Sequence, residues 1–301
     1  MGLVSRTGET LAGLPVSTNA APPPHQADAI GRYFITVFDQ PADAMVEDIL
    51  LNETAMVRVL GRGEWEAHLG PRGWQRFAGP VLFGAQRRAL RVRVRGPMAT
   101  AGFAIRPSGW PRLDARPAHL LANRLEAIAE PWGAALDRAC ADIDDHERTF
   151  AALMQAVDTR LHAVAGESSE PMRRFEEIAR TDPGRSVSDI AEEFGLTLRR
   201  LDAHVQRHFG HTPKSVLRRS RFLDMAAVMR GLSIPDEETL VRLRFYDASH
   251  LNLEFRKFVD MTPAAFARTP TPLLTPGLEV RAQRKLADLA AQVPAPWRAS
   301  A

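Results

Sequence analysis

Fifty residues after Leu201, Val205 and the pair Thr212–Pro213, the chain writes Leu251, Phe255 and the pair Thr262–Pro263. Apolar residues four apart fall on one helical face. A threonine followed by proline marks a helix start, because the hydroxyl caps free backbone N–H groups and proline sits where no N–H is needed. The repeat therefore asks for two similar helical units, each running into a capped helix. In the first, "SVSDIAEEFGLTLRRLDAHVQRHFG", Ser188 is the expected cap of a helix whose Ile190, Ala191 and Phe194 share a face. Gly195 supplies the positive-φ residue that ends it. Thr197 then caps a second helix with Leu198, Leu201, Val205 and His208–Phe209 as its apolar stripe. The second copy, "LVRLRFYDASHLNLEFRKFVDMTPAAF", has one more residue in its turn and Asp247 as its cap.

Two helices crossing at a glycine turn make a helix-turn-helix, whose second helix offers its outer face to a major groove. That face carries Arg199, Asp202, Ala203 and Gln206 in the first copy and Ser249, Asn252, Leu253 and Arg256 in the second. Pro213 to Arg230, closed by Gly231, reads as a connecting helix about 27 Å long. A rigid connector lets two such helices enter successive grooves, about 34 Å apart on one side of a duplex. A lone amphipathic pair with a solvated charged face would need no partner; the repetition argues against that simpler case.

Charge points the same way. The whole chain carries a formal net charge of only +3, yet between Thr197 and Arg221 the cations Arg199, Arg200, Arg207, Lys214, Arg218, Arg219 and Arg221 face Asp202 alone. A local excess of this kind suits a phosphate backbone. By chemistry, Arg199 can grip guanine with two hydrogen bonds, and Gln206 or Asn252 can do so with adenine. Asp202, Ser249 and Arg256 complete the expected base-facing set. Thr197, Arg200, Arg207, Lys214, Arg218 and Lys257 are expected at phosphates, where Arg256 also suits.

These residues resemble the DNA-binding domain of the AraC/XylS family of bacterial transcription regulators, over roughly Pro171 to Arg268. The shared pieces are "A…GLT…L", the "G-x-T-P-x-x-x-L" step and the closing "F-x-x-x-x-M-T-P-x-x-F". The resemblance implies two helix-turn-helix units in one all-α domain that controls transcription at promoters, with RNA polymerase as a further partner. Ala203, Leu253, Val205 and Arg244 depart from the family's usual arginines, aromatic residue and glycine. Those departures leave open a second reading, a protein-interaction adaptor whose units no longer read DNA.

Upstream, "RYFITVF", "AMVRVLG", "WEAHLG", "ALRVRVRG" and "ATAGFAI" read as short strands. In the fourth, Leu90, Val92 and Val94 alternate with Arg91, Arg93 and Arg95, as in a strand with one wet face. Helical patterns are expected from Pro117 through "AHLLANRLEAI" and again from Pro131 to His162. The stretch from Gly79 to Gly133, above all "G-x-x-I-R-P-x-G", resembles the small cupin-like domain that precedes such DNA-binding domains. It implies a domain that senses a small-molecule effector or forms a homodimer. The expected fold is α+β, an N-terminal small β-barrel with helices followed by an all-α double helix-turn-helix domain. Its expected divisions are a flexible leader over 1–28, the cupin-like domain over 29–165, the DNA-binding domain over 170–270, and a proline-rich tail with a helix over 271–301. "GESSEP", Gly166 to Pro171, reads as a polar linker.

No catalytic, cofactor or metal pattern is found. His68 and His119 stand alone, and His204, His208 and His211 are expected at the surface or at a helix end. The single cysteine, Cys140, sits in the acidic helical context "LDRACADIDD", which raises a thiol's pKa and argues against a methyl-accepting repair protein. The run Asp142 to Glu147 reads as an acidic helix start. Trp65, Trp74, Trp110 and Trp132 are expected mainly in the β-domain core. One cysteine and no long apolar run imply a cytoplasmic chain without a membrane partner. Double-stranded DNA is the expected partner, and no cofactor is expected.

Overall fold

The computed structural model of the chain describes residues 8–9, 15–232 and 248–292. Its N-terminal half is an antiparallel sheet built from β1 (Gly8–Glu9), β2 (Val16–Ala20), β3 (Ile30–Phe38), β4 (Met45–Leu50), β5 (Met56–His68), β6 (Trp74–Phe77), β7 (Pro80–Phe83), β8 (Leu90–Ile105) and β9 (Leu125–Ala127). The main path runs β1-β2-β3-β8-β5-β7-β9, with β4 added to β8 and β6 to β5. The long strand β8 organises it. Its first half, Leu90–Arg95, lies between β4 and β5, and its second half, Met98–Ile105, between β3 and β5.

The alternation expected over Leu90–Arg95 is observed: Val92 and Val94 are buried, while Arg91 and Arg95 are exposed. Two register shifts in β5, on either side of Arg62, bend the sheet there. Gly63 makes the bend feasible, since it sits at φ +91° and a Cβ would lie 2.5 Å from the carbonyl oxygen of Pro97. Bent this way, the sheet wraps a cavity lined from β2, β3, β4, β5, β7 and β8.

Several expectations change in three dimensions. Residues 16–28, expected within a flexible leader, form β2 and a 3₁₀ turn at Pro24–Gln26, and Asp28 pairs with Arg112. The segment after Pro117, expected to be helical, makes one 3₁₀ turn at Ala118–Leu120 and then strand β9. Between them Asn123 takes φ +61°, a left-handed residue that no helix continues through. The linker is no free spacer: Ser169 N–H donates to the Ser108 carbonyl, and Ser168 hydrogen-bonds Asp28.

Helices α1 (Trp132–Ala139) and α2 (His146–Ala163) pack together beside the sheet. The acidic run does start α2, with Asp145 accepting from the Arg148 N–H. Trp110 is buried in the core, and Trp65 lies between Phe77 and Phe83 while also lining the cavity. Burial pushes the Cys140 thiol up to about 12, with Asp137 adding to it.

The C-terminal half is helical: α3 (Glu170–Thr181), α4 (Val187–Glu193), α5 (Leu198–Phe209), α6 (Pro213–Met229), α7 (Ala248–Val259), α8 (Pro263–Arg268) and α9 (Thr275–Gln292). One apolar cluster joins α3, α4, α5 and the start of α6 through Met172, Phe175, Ile190, Leu201, Val205, Phe209 and Val216. A second gathers Phe222, Phe255, Phe258, Phe266 and Leu278, and takes in Ile49 and Leu51 from the β-domain. Within it the Phe222 ring stacks 4.7 Å from Phe258. The helix expected in the tail is α9, and its start reaches the sheet: Leu273, just before it, and Pro276, in its first turn, line the cavity, and the Leu273 N–H donates to Asp48 at 2.6 Å.

Candidate nucleic-acid interface

The first helix-turn-helix is built as its residue types require. Gly195 takes φ +64° at the turn. The Thr197 hydroxyl accepts from the Arg200 N–H at 3.3 Å, which caps α5. The cap of α4 is Ser186, not Ser188, because its hydroxyl oxygen lies 3.1 Å from the Asp189 N–H. Leu201, Val205 and Phe209 are buried along α5. Leu198, expected on that stripe, is 56% exposed, since it falls in the first turn, before the helix meets its neighbours.

The outer face of α5 presents Arg199, Arg200, Ala203, His204 and Arg207 to solvent. Asp202 and Gln206 lie at its edge and bond each other, with Gln206 Nε2 donating to Asp202 at 2.6 Å. Lys214 is exposed in the first turn of α6, just after the Thr212 cap. On α7 the exposed residues are Ser249, Asn252, Leu253 (63%) and Arg256. Lys257 is half-buried, its ammonium 5.9 Å from the Phe258 ring centre. Asp247 and the turn at Arg244–Phe245 lie outside the described residues.

Not every expected cation faces outward. Arg219 is only 1% exposed; it points into the β-domain, donating to the carbonyls of Gln86 at 2.6 Å and Glu53 at 2.5 Å. Arg221 donates to the Pro183 carbonyl. Both side chains satisfy backbone carbonyls that the packed interior would otherwise strand, which a count of charges along the chain cannot show. Arg218 is half-buried and held by the buried Glu254, its Nε lying 2.7 and 2.9 Å from the two carboxylate oxygens, so it ties α6 to α7.

Of the histidines expected at the surface or a helix end, His204 is exposed, whereas His208 and His211 lie at the end of α5 but are buried there, donating to the Pro107 carbonyl at 2.9 Å and the Ala85 carbonyl at 3.0 Å. Burial lowers both pKa values, that of His211 to about 4 with help from Arg219. They became interior because the β-domain packs over this end of α5, a contact no local pattern encodes.

Residues 173–269 match a family model described as a helix-turn-helix domain. This segment is a helix-turn-helix domain of the AraC type. At that level the protein is a DNA-binding transcription regulator. No curated protein matches the chain. Among solved structures, wild-type ToxT from Vibrio cholerae strain SCE256 with unsaturated fatty acid bound is similar at a TM-score of 0.46 and 10% identity, over 80% of this chain and 97% of that one. ToxT from Vibrio cholerae O395 is similar at 0.43 and 12%, over 78% and 96%. The AraC-like transcriptional activator CuxR is similar at 0.29 and 13%, over 76% and 90%. Among the described residues no helix is long and apolar enough to cross a membrane.

The sequence reading missed the polar side chains of the cavity. Its walls are largely apolar, with Phe34, Leu50, Trp65, Phe83, Val92 and Met98 among them, but Arg32 and Arg58 also line it. Both guanidinium carbons stand 5.0 Å from the Phe34 ring centre. Arg32 donates to Asn19 at 2.7 Å, whereas the buried Arg58 Nε has no hydrogen-bond partner. Burial holds both below an ordinary arginine, Arg32 at about 9 and Arg58 at about 10, and in Arg32 the neighbouring Arg58 and Arg284 add to it. The signal was present in "MVRVLG", where Arg58 interrupts residues that read as core.

Proposed function

We propose that this regulator reads DNA through α5 and α7, entering successive major grooves, with the β-domain holding a small-molecule effector. The observation that carries the first part is the face of α5. Leu201, Val205 and Phe209 on its inner side are buried, while Arg199, Arg200, Ala203, His204 and Arg207 stand together in solvent. Arg199, with Gln206 and Asp202 beside it, is the base-reading group on α5; Asn252, Ser249 and Arg256 are their counterparts on α7. Thr197, Arg200, Arg207, Lys214 and Lys257 meet phosphates, and Arg218 does so from its pairing with Glu254.

The cavity supports the effector. It offers two guanidiniums and the hydroxyls of Ser17, Thr36 and Thr100 among largely apolar walls. Among the described residues no carboxylate pairs with Arg58 there, so a ligand with an anionic end and an apolar body complements it.

Binding of the full chain to promoter fragments across a salt series tests the DNA reading. Affinity should fall steeply as salt rises, because phosphate contacts release counterions. Arg199→Ala should relax preference at one base position, by about 1–3 kcal/mol. Lys214→Ala should weaken all sequences alike and lower the salt slope by about 0.9. Salt-independent binding, together with an Arg199→Ala protein of unchanged base preference, would favour the adaptor reading instead.

A further inference from the structure

The loop between β7 and β8, residues 84–89, belongs to the β-domain yet ends against α7. Its backbone is held almost residue by residue. The Gly84 N–H donates to the Arg124 carbonyl at 2.9 Å, and the Gln86 N–H to the Asn52 carbonyl at 2.9 Å. His211 and Arg219 donate to the carbonyls of Ala85 and Gln86. The Arg87 N–H donates to Asn123 Oδ1 at 2.6 Å, and the Ala89 N–H to the Phe258 carbonyl of α7 at 2.7 Å.

A loop fixed this tightly presents two exposed side chains, Arg87 and Arg88. Neighbouring cations are spoken for: Arg91 pairs with Glu47, and Arg218 with Glu254. Among the described residues, Arg87, Arg88, Arg256 and Lys257 have no salt-bridge partner. Arg88, Arg256 and Lys257 line one groove between the β-domain and α7. Lys257 feels the crowd: its ammonium is pulled down first by burial, then by Arg218, with Glu254 opposing and Arg87 and Arg88 adding to the lowering. Lys257 follows Leu253 by one helical turn, so this cationic corner continues the exposed face of α7 onto the other domain.

We infer that Arg87 and Arg88 of the β-domain are part of the DNA-binding surface, gripping backbone phosphates beside the groove that α7 enters. The partner is the phosphate backbone because these cations, without salt bridges among the described residues, stand on a loop beside α7 rather than on its outer face, and phosphate contacts position a protein without regard to sequence. Glu47, Asp48 and Asp260 also line the groove, but Glu47 is taken by Arg91 and Asp48 by the N–H groups of Leu273 and Leu274, so Arg88, Arg256 and Lys257 stay crowded and a polyanion relieves their repulsion. The inference rests on α7 being a DNA-reading helix. It adds that the β-domain helps bind the duplex directly as well as sensing a ligand.

The test uses the full chain and a fluorescent DNA duplex of random sequence, because phosphate contacts need no operator. The double variant Arg87→Gln/Arg88→Gln should lower the slope of log affinity against log salt by about 1.8, close to 0.9 for each phosphate lost. Both side chains are exposed, so its thermal melt should match wild type. Lys257→Gln, which removes the α7 cation assigned to a phosphate, is the control for α7 itself. If Lys257→Gln lowers the slope and the double variant keeps the wild-type slope, the corner does not touch DNA and the proposal falls, while the reading of α7 stands. If neither variant changes the slope, the reading of α7 falls and takes the proposal with it. A wild-type slope combined with lost transcription in vitro would assign the corner to a protein partner, which also overturns it.

Discussion

Arg219 and Arg58 show two uses of an arginine turned away from water. Arg219 ends on the carbonyls of Gln86 and Glu53, so its donors replace lost solvent and its charge holds two domains together. Arg58 instead stacks on Phe34 with its Nε unsatisfied, and no carboxylate among the described residues lining the cavity answers it. A desolvated, uncompensated donor costs stability, and such a cost persists where binding needs the group. Arg58→Met keeps the apolar stem and removes the charge. The ligand-free variant should therefore melt at a higher temperature than wild type in a calorimetric scan. A lower melting temperature would show that Arg58 is a structural support and would count against an anionic effector.

At the level of elements, the tie between the 84–89 loop and α6 depends on a neutral histidine. His211 takes a proton at about 4 in the folded chain, against an ordinary 6.5. Between those values the unfolded chain binds more protons than the native one, so this contribution to stability is present above pH 6.5 and is lost as pH falls toward 4. Asp48 works in the opposite sense, because burial raises its carboxyl to about 6 and the native state there binds the extra proton. Comparison with His211→Gln cancels Asp48. Wild type should lose more melting temperature than the variant between pH 6.5 and 4, and equal losses would contradict the role given to His211. The same elements show how far local pattern reaches. Gly195, Thr197 and Thr212–Pro213 start and stop helices by their own backbone chemistry and behave as the sequence implies. Residues 118–127 read as a helix but become a turn and an edge strand, because pairing with β7 satisfies their backbone instead.

Across the whole molecule, α9 locks the helical half to the sheet. Asp224 of α6 receives Arg281 at 2.8 Å and Lys285 at 2.7 Å, all three buried, and Arg281 also reaches Glu53 at 3.3 Å. Removing the anion that both cations share strips compensation from two buried charges, so Asp224→Leu should cost about 3–5 kcal/mol in denaturant unfolding. Arg173→Ala, which breaks an exposed pair with Glu170, should change stability by less than about 0.5 kcal/mol. A comparable small loss for both would mean the buried cluster is not a lock. Because Ile49 and Leu51 share a core with Phe222 and Phe255, the two halves should lose structure in one transition in that experiment.

By itself the sequence determined what depends on neighbours along the chain: the first helix-turn-helix, the capped connector, the alternating arginine strand and the family of the C-terminal half. These follow from backbone caps, periodicity and spacing, which act over a few residues. Only the tertiary structure decided which charges face solvent and which serve the interior. Arg218 and Arg219 are adjacent in sequence, yet one clasps Glu254 at the edge of α7 and the other is sunk into the β-domain. Arg87 and Arg88, almost a hundred residues before the first repeat, lie near α7. A side chain's charge is written in the sequence, but its solvent and its counter-charge come from residues brought close only by packing.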